Sequence, residues 1–190
     1  MQLLRKRIQM PQVYESAPFD TYIQQITQRI IFAGGALTLP GLFLALSGLL
    51  RYEIAYYGAI ASGIVAVILL LFVWWMWAGQ PTQLEVHADQ LVIKRMWWRA
   101  IRVPLSQITA ITRLPLTVEM RHVRWATFVG VFGYQGVFIS KVYGRYQCVA
   151  SDRDCLVAIS RTNGLLLVVS PSQPAVFVAA AREALSAKAL

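Results

Sequence analysis

The distribution of apolar residues divides the chain into an uncharged stretch, a second uncharged stretch, and a region of short alternating runs. Ile30 to Leu50 holds no charged side chain, and a second uncharged run extends from Ile54 past Trp77. At about 1.5 Å per residue the first covers about 30 Å as a helix, the thickness of a hydrocarbon core. Pro40-Gly41 near its centre would end a helix in water, but a membrane-spanning helix tolerates such a kink. Only Arg51-Tyr52-Glu53 separate the two runs. The pattern therefore predicts an antiparallel transmembrane hairpin, with spans at 30–50 and 54–78 and a loop at 51–53.

From Gln80-Pro81 onward the period changes to two. Leu84, Val86 and Ala88 alternate with Glu85, His87 and Asp89, and Leu91 to Met96 returns. Ile101 and Val103 flank Arg102, and Ile108 to Leu114 resumes after Pro104. Cys155–Arg161 and Leu165–Ser170 form two apolar strands around Thr162-Asn163-Gly164, the best local hairpin signal in the chain. The tail predicts one helix with Ser172 as cap, Pro174 in its first turn, and Phe177, Ala180, Ala181 and Ala184 on one face. Such a helix covers an open sheet edge or barrel end. Residues 1–29 are polar and mixed. Tyr22, Ile23, Ile26 and Ile30 recur at helical spacing, which fits a short interfacial helix or the solvated first turn of the next one.

Composition agrees with a bilayer. The chain of 190 residues is 57% hydrophobic and 14% charged, where a soluble domain carries about 25% charged residues. Its net charge of +9 fits the positive-inside bias and attraction to anionic lipid; no nucleic-acid-reading motif accompanies it. Arg5, Lys6, Arg7 and Arg29 precede the hairpin, and Lys94, Arg95, Arg99 and Arg102 follow it, against Arg51 alone in the loop. Both termini are expected in the cytoplasm. Tyr52, Tyr56 and Tyr57 at one end and Trp74, Trp75 and Trp77 at the other suit the two headgroup zones. The N-terminus has basic residues without an apolar core behind them, so no cleavable signal peptide is expected.

Catalytic chemistry is hard to find. His87 and His122 are isolated, no serine sits in a nucleophile elbow, and Gly130, Gly133 and Gly136 lack the lysine of a phosphate loop. These glycines fit bulges or tight turns. Cys148 and Cys155, seven residues apart, match no zinc or redox spacing and read as two reduced thiols on strands. The expectation is a non-enzyme with no metal and no cofactor. Three features suggest contacts instead. Lys94-Arg95-Met96-Trp97-Trp98-Arg99, with Arg102, sets indole rings beside cations, as a lipid headgroup layer favours. Ala55, Ala59 and Gly63 form a small-residue stripe for helix packing, against the first helix or another molecule. Trp125 to Ser140 is uncharged, and reads as a core strand pair or as a surface against bilayer or partner.

Residues from about Thr82 to Leu185 resemble the bacterial pleckstrin-homology-like domains. The resemblance rests on the hairpin through Leu91-Val92-Ile93-Lys94, on Arg102-Val103-Pro104-Leu105-Ser106-Gln107-Ile108, and on Gly133-Tyr134-Gln135-Gly136 ahead of Tyr143-Gly144. It ends with Ser170-Pro171, Pro174 and Phe177. It implies a membrane-anchored α+β fold: a two-helix transmembrane hairpin, then an antiparallel β-barrel or sandwich closed by a C-terminal helix, with the domain at 82–187. It also implies a multi-pass protein of a bacterial plasma membrane. There the tethered domain would bind anionic headgroups, a protein partner or a second copy; the alternative is an accessory subunit of a larger membrane complex. A fragment from Thr82 to Leu190 is expected to contain every strand.

Overall fold

The structure, a computed structural model, describes residues 11–48, 53–114, 131–140 and 142–189. In chain order these form β1 (Gln12–Glu15), α1 (Thr21–Gly48), α2 (Glu53–Ala78), β2 (Pro81–Val86), β3 (Gln90–Arg95) and β4 (Ile101–Pro104). A 3-10 turn (Leu105–Gln107) leads to β5 (Ile108–Arg113). Then come β6 (Tyr134–Ser140), β7 (Gly144–Ala150), β8 (Val157–Arg161), β9 (Leu166–Val169) and α3 (Pro174–Ala189). Arg5, Lys6, Arg7, Arg51, Tyr52, His122 and the 125–130 part of the uncharged segment lie outside the described residues.

Both helices are long and apolar enough to cross a membrane, over Thr21–Leu44 and Tyr57–Ala78. They pack on each other and leave most of their apolar side chains uncovered, Phe32 at 78% and Leu70 at 69% exposure among them. At the seam Gly41 meets Ser62 so closely that a Cβ on Gly41 would fall 1.4 Å from the Ser62 hydroxyl. A larger residue there would push the helices apart. Pro40 lies inside α1 and the helix runs through it. No separate interfacial helix precedes α1 among the described residues. Ile23 belongs to its first turn and is 1% exposed, turned toward the sheets.

The strands make two sheets: β1-β2-β3-β4, and β5-β8-β9-β7-β6. In the first, Leu84 lies opposite Ile93, and Leu91 opposite Val86 and Val103, so one face is wholly apolar. It packs on Ile108, Ile111, Val149, Val157, Ile159, Leu167 and Val169 of the second sheet, with Phe177, Val178 and Ala181 of α3 against both. Arg182 pins α3 by donating to the Ile111 carbonyl from Nε and Nη2 at 3.0 and 2.8 Å. The second sheet is covered on its other face too. Tyr134, Phe138, Tyr146, Cys148, Ala158 and Val168 form a separate cluster with Ile23. Burial on both faces explains why β9 reads as a continuous apolar run rather than an alternating one. The Asn163-Gly164 turn joins β8 to β9 as expected, with Gly164 at φ +135°, a conformation that side chains strain to adopt.

Four expectations need correction. The sheets do not close into a barrel; the arrangement is a sandwich. Nor is it wholly antiparallel, because β7 and β9 run parallel, Cys148 opposite Val168. A third correction concerns the start of the chain. β1 precedes both helices yet pairs with β2 beyond them, Gln12 opposite Val86 and Glu15 opposite Gln83. A fragment from Thr82 therefore lacks a strand. Cys155 is also not on a strand but in the turn between β7 and β8.

Candidate functional site

The last turn of α2 carries Trp74 and Trp75, each about half exposed, and ends at Ala78. A helix leaves its final carbonyls without intrahelical partners. Here the β3–β4 turn supplies them: Trp97 N–H and Trp98 N–H donate to the Ala78 carbonyl at 2.9 and 3.2 Å, and Met96 N–H donates to Gln80 at 3.0 Å. The Trp98 ring meets Trp75 edge to face, centroids 4.9 Å apart. Gly79 permits the approach, since a Cβ there would lie 2.2 Å from Gln135 Oε1 and 3.3 Å from Trp98. The Gln135 amide donates to the Met76 carbonyl at 3.5 Å. The turn is thus joined to the end of α2, and Trp97 projects beside it at 69% exposure with Met96 at 40%.

The cations of this segment divide into two kinds. Lys94 is engaged: its Nζ lies 2.5 Å from Glu85 Oε1, while His87 Nε2 lies 3.1 Å from Glu85 Oε2. The hydrogen bond from Lys94 holds the Glu85 carboxyl below its ordinary pKa, against the upward pull of burial; the His87 bond adds to the lowering. Arg95 folds back, its guanidinium donating to the Arg99 carbonyl and lying 5.2 Å from the Trp98 ring centre, and burial draws its pKa down. Arg99 and Arg102 are exposed and make no side-chain hydrogen bond or ion pair among the described residues. The sequence places four cations and two indoles together here: Lys94, Arg95, Trp97, Trp98, Arg99 and Arg102. The fold brings all six to one turn and strand pair, and leaves Trp97, Arg99 and Arg102 as the outward groups.

The small-residue stripe is less uniform. Ala59 lines a groove of about 370 Å³ between the helices, together with Gly41 and Ser62. Gly63 borders the same groove but is exposed, with open space where a Cβ would be. The side chain of Ala55 lies outside what the structure describes. The helix contact itself centres on Ser62 and Gly41.

A second polar cluster escaped the sequence reading. Asp20 caps α1, its Oδ1 accepting from Ile23 N–H at 2.7 Å. Its Oδ2 accepts from the Tyr134 hydroxyl at 2.9 Å and from Arg153 Nε at 3.0 Å. The Arg153 guanidinium also sits over the rings of Tyr22 and Tyr134, at 4.5 and 5.5 Å. Burial and the Asp20 carboxylate raise the Tyr134 pKa far above its ordinary value. The Asp-Thr-Tyr-Ile order at 20–23 was the available signal: a capping residue before an apolar helical repeat. Its partners lie more than a hundred residues away and carry no local mark.

Among the described residues no group of three or more His, Cys, Asp or Glu is placed to hold a metal ion. Cys148 is buried in the second sheet, which pushes its thiol up to about 12. No curated protein matches the chain. The family model of the bacterial PH domain matches residues 82–185, from β2 through most of α3 and including the Trp97-Trp98 turn. That span is more than half of the chain, and with the sandwich and its closing helix it assigns the fold: the chain belongs to the bacterial PH domain family.

Proposed function

We propose that this protein is a non-enzymatic, membrane-tethered PH module. Its helical hairpin crosses the bacterial plasma membrane, and its domain lies on the cytoplasmic face with the β3–β4 turn at the anionic headgroups. Bacterial PH domains are typically non-catalytic binding modules, and PH domains in general bind lipids or proteins. The observation that carries the lipid reading is the junction of that turn with the end of α2. If α2 exits the bilayer at its tryptophans, the hydrogen bonds to Ala78 hold Trp97 at headgroup depth. Arg99 and Arg102 would then meet lipid phosphate from the same turn and the strand after it.

Two features support the tether itself. Only 6% of either candidate span is buried, whereas the core helix of a soluble protein would be covered. And β1, before the hairpin, pairs with β2, after it, so both ends of the hairpin lie on one side. The Lys and Arg excess on the outer flanks makes that side the cytoplasm.

The test uses the full chain in nanodiscs, with Trp97→Cys in a Cys155→Ser background and an environment-sensitive dye on the new thiol. A matched chain carries the dye at Asn163, in the β8–β9 turn. Lipids spin-labelled at the headgroup should quench the dye at 97 and spare the one at 163. Equal quenching at both sites, or none at 97, would remove the headgroup reading and leave a protein partner as the explanation of the exposed ring and cations.

A further inference from the structure

The segment between β1 and α1 crosses from one sheet to the other. Ser16 N–H donates to Thr82 in the first sheet at 3.1 Å. Ala17 N–H then donates to Ser170 at 2.8 Å, and Asp20 N–H to Ser151 at 3.2 Å, both on the second-sheet side. Ser151 Oγ is buried and donates to the Ala17 carbonyl. The strap ends at Asp20, whose carboxylate holds Tyr134 and Arg153, and the next residues are the first turn of α1.

We propose that this strap is a clasp that fixes the attitude of the domain against the hairpin, and that the Asp20 cluster is its lock. Two properties single it out as a separable element rather than as one more piece of core. First, β1 buries almost nothing. Three of its four residues are exposed, and Tyr14 alone packs inward, edge-on to Phe177 at 5.4 Å. A short edge strand with few apolar contacts lies at the low-stability end of a fold. Second, the lock ties Asp20 at the head of α1, which no sheet pairing reaches, to Tyr134 on β6 and Arg153 in the β7–β8 turn, which the β6–β7 pairing already holds together. Removing it leaves both sheets and the main core intact, and leaves α1 held to the second-sheet side only by the apolar seat of Ile23 and the Thr27–Phe132 contact. The other tie, at the end of α2, runs through single hydrogen bonds and one ring contact. With the clasp closed the domain has two attachments to the hairpin and cannot swing. With it open, the polar hold on the head of α1 is gone and the α2 tie bears most of the restraint.

The full chain in nanodiscs tests this without appeal to any ligand. Hydrogen exchange is followed in the strap, in β3 and in β8, in the parent chain and in Asp20→Asn with Arg153→Gln. Spin labels at residues 37 and 163, in the Cys155→Ser background, report the distance between hairpin and domain. The proposal expects slow strap exchange and one narrow distance in the parent. In the double variant, strap exchange should rise at least tenfold and the distance distribution should broaden, while β3 and β8 keep their protection. An unchanged distance distribution, or strap amides already unprotected in the parent, overturns it. Should the double variant lose protection in β3 and β8 as well, Tyr134→Phe decides, since it removes one hydroxyl only. That variant must raise strap exchange without touching β3 or β8; if the strap does not respond, the clasp is not a lock.

Discussion

Cutting the chain at Thr82 isolates the span that matches the family model, and the structure says that this span is incomplete. The cut removes β1, the strap and Ile23. Ile23 is 1% exposed, and burying such a side chain contributes about 1.5–3 kcal/mol. Ser151 and Ser170 are at most 2% exposed, and the strap supplies partners to both. A buried polar group left unsatisfied costs about 1–3 kcal/mol. One apolar loss and one polar loss together come to about 2.5–6 kcal/mol, against a total of about 5–15 kcal/mol for a domain. The comparison is a fragment of residues 82–190 against a chain in which residues 11–27 are joined to 76–190 by a glycine-serine linker. The linker need not be long. Thr27 contacts Phe132 and Met76 contacts Gln135, each within 3.5 Å, and only Gly133 and Tyr134 separate Phe132 from Gln135. Three backbone steps span at most about 11 Å, and ten flexible residues reach about 16–19 Å. Circular dichroism melts should show a cooperative transition in the linked chain. In the short fragment the midpoint should fall by roughly 10–25 °C, or the transition should vanish, at about 4 °C per kcal/mol for a domain of this size. A short fragment melting within about 5 °C of the linked chain would refute the assignment of the strap to the domain.

Other outcomes follow from the same geometry. Arg99→Gln with Arg102→Gln should weaken binding of the linked chain to anionic vesicles by about 30-fold at low salt, from about 1 kcal/mol per cation, while Lys94→Gln changes it little because that charge already faces Glu85; sedimentation with vesicles reads this out. Glu85 has a lowered folded pKa, so its contribution is present above its unfolded pKa and is lost as pH falls through the folded one. Lys94→Gln removes the largest cause of that lowering, so the variant should lose less stability on acidification than the parent, in melts recorded from neutral pH down. Phe177→Ala should cost about 3–5 kcal/mol by opening the main core, measured by chemical denaturation. In the folded protein a maleimide should label Cys155 well before Cys148, which is buried and whose thiol is pushed up to about 12; mass spectrometry of timed samples distinguishes them.

Periodicity marked the elements whose signal is local. The two helices announce themselves by length without charge, the β2–β3 and β8–β9 hairpins by alternation and an Asn-Gly turn, and α3 by its apolar face. The Trp97-Trp98 turn could be read as a cluster of rings and cations because its members are adjacent in the chain. What its residues do could not. Lys94 differs from Arg99 only through Glu85 across the strand, a matter of register. β1 failed for a different reason: four mostly exposed residues have no apolar pattern, and the edge they pair with lies beyond both helices. The parallel pairing of β7 with β9 is likewise non-local. Burial on both faces removes the alternation that would have shown which side of β9 faces which layer.

The pairing of β1 with β2 also changes what the hairpin is. A membrane anchor that precedes a domain is a leader, and its two ends need bear no fixed relation to the fold that follows. Here the first strand comes before the two helices and its partner after them, so the hairpin is an insertion within the sandwich. If the hairpin crosses a membrane as proposed, the strand can pair only when both helices have returned the chain to the side from which it started. On that topology charge asymmetry would choose which side that is, but would not have to enforce the return. Closure of the sheet supplies a second, independent term. The pairing is also remote in sequence, Gln12 waiting on Val86, so it carries the loop-closure cost of everything between. Once the helices have packed at Gly41 and Ser62, most of that cost has been met by the hairpin itself. Hairpin packing and sheet completion are therefore coupled, and a substitution at Gly41 that separates the helices should loosen the strap at the far end of α1. Hydrogen exchange of the strap in Gly41→Leu checks this: faster exchange than in the parent supports the coupling, and unchanged exchange shows that the sheet closes without regard to how the helices meet.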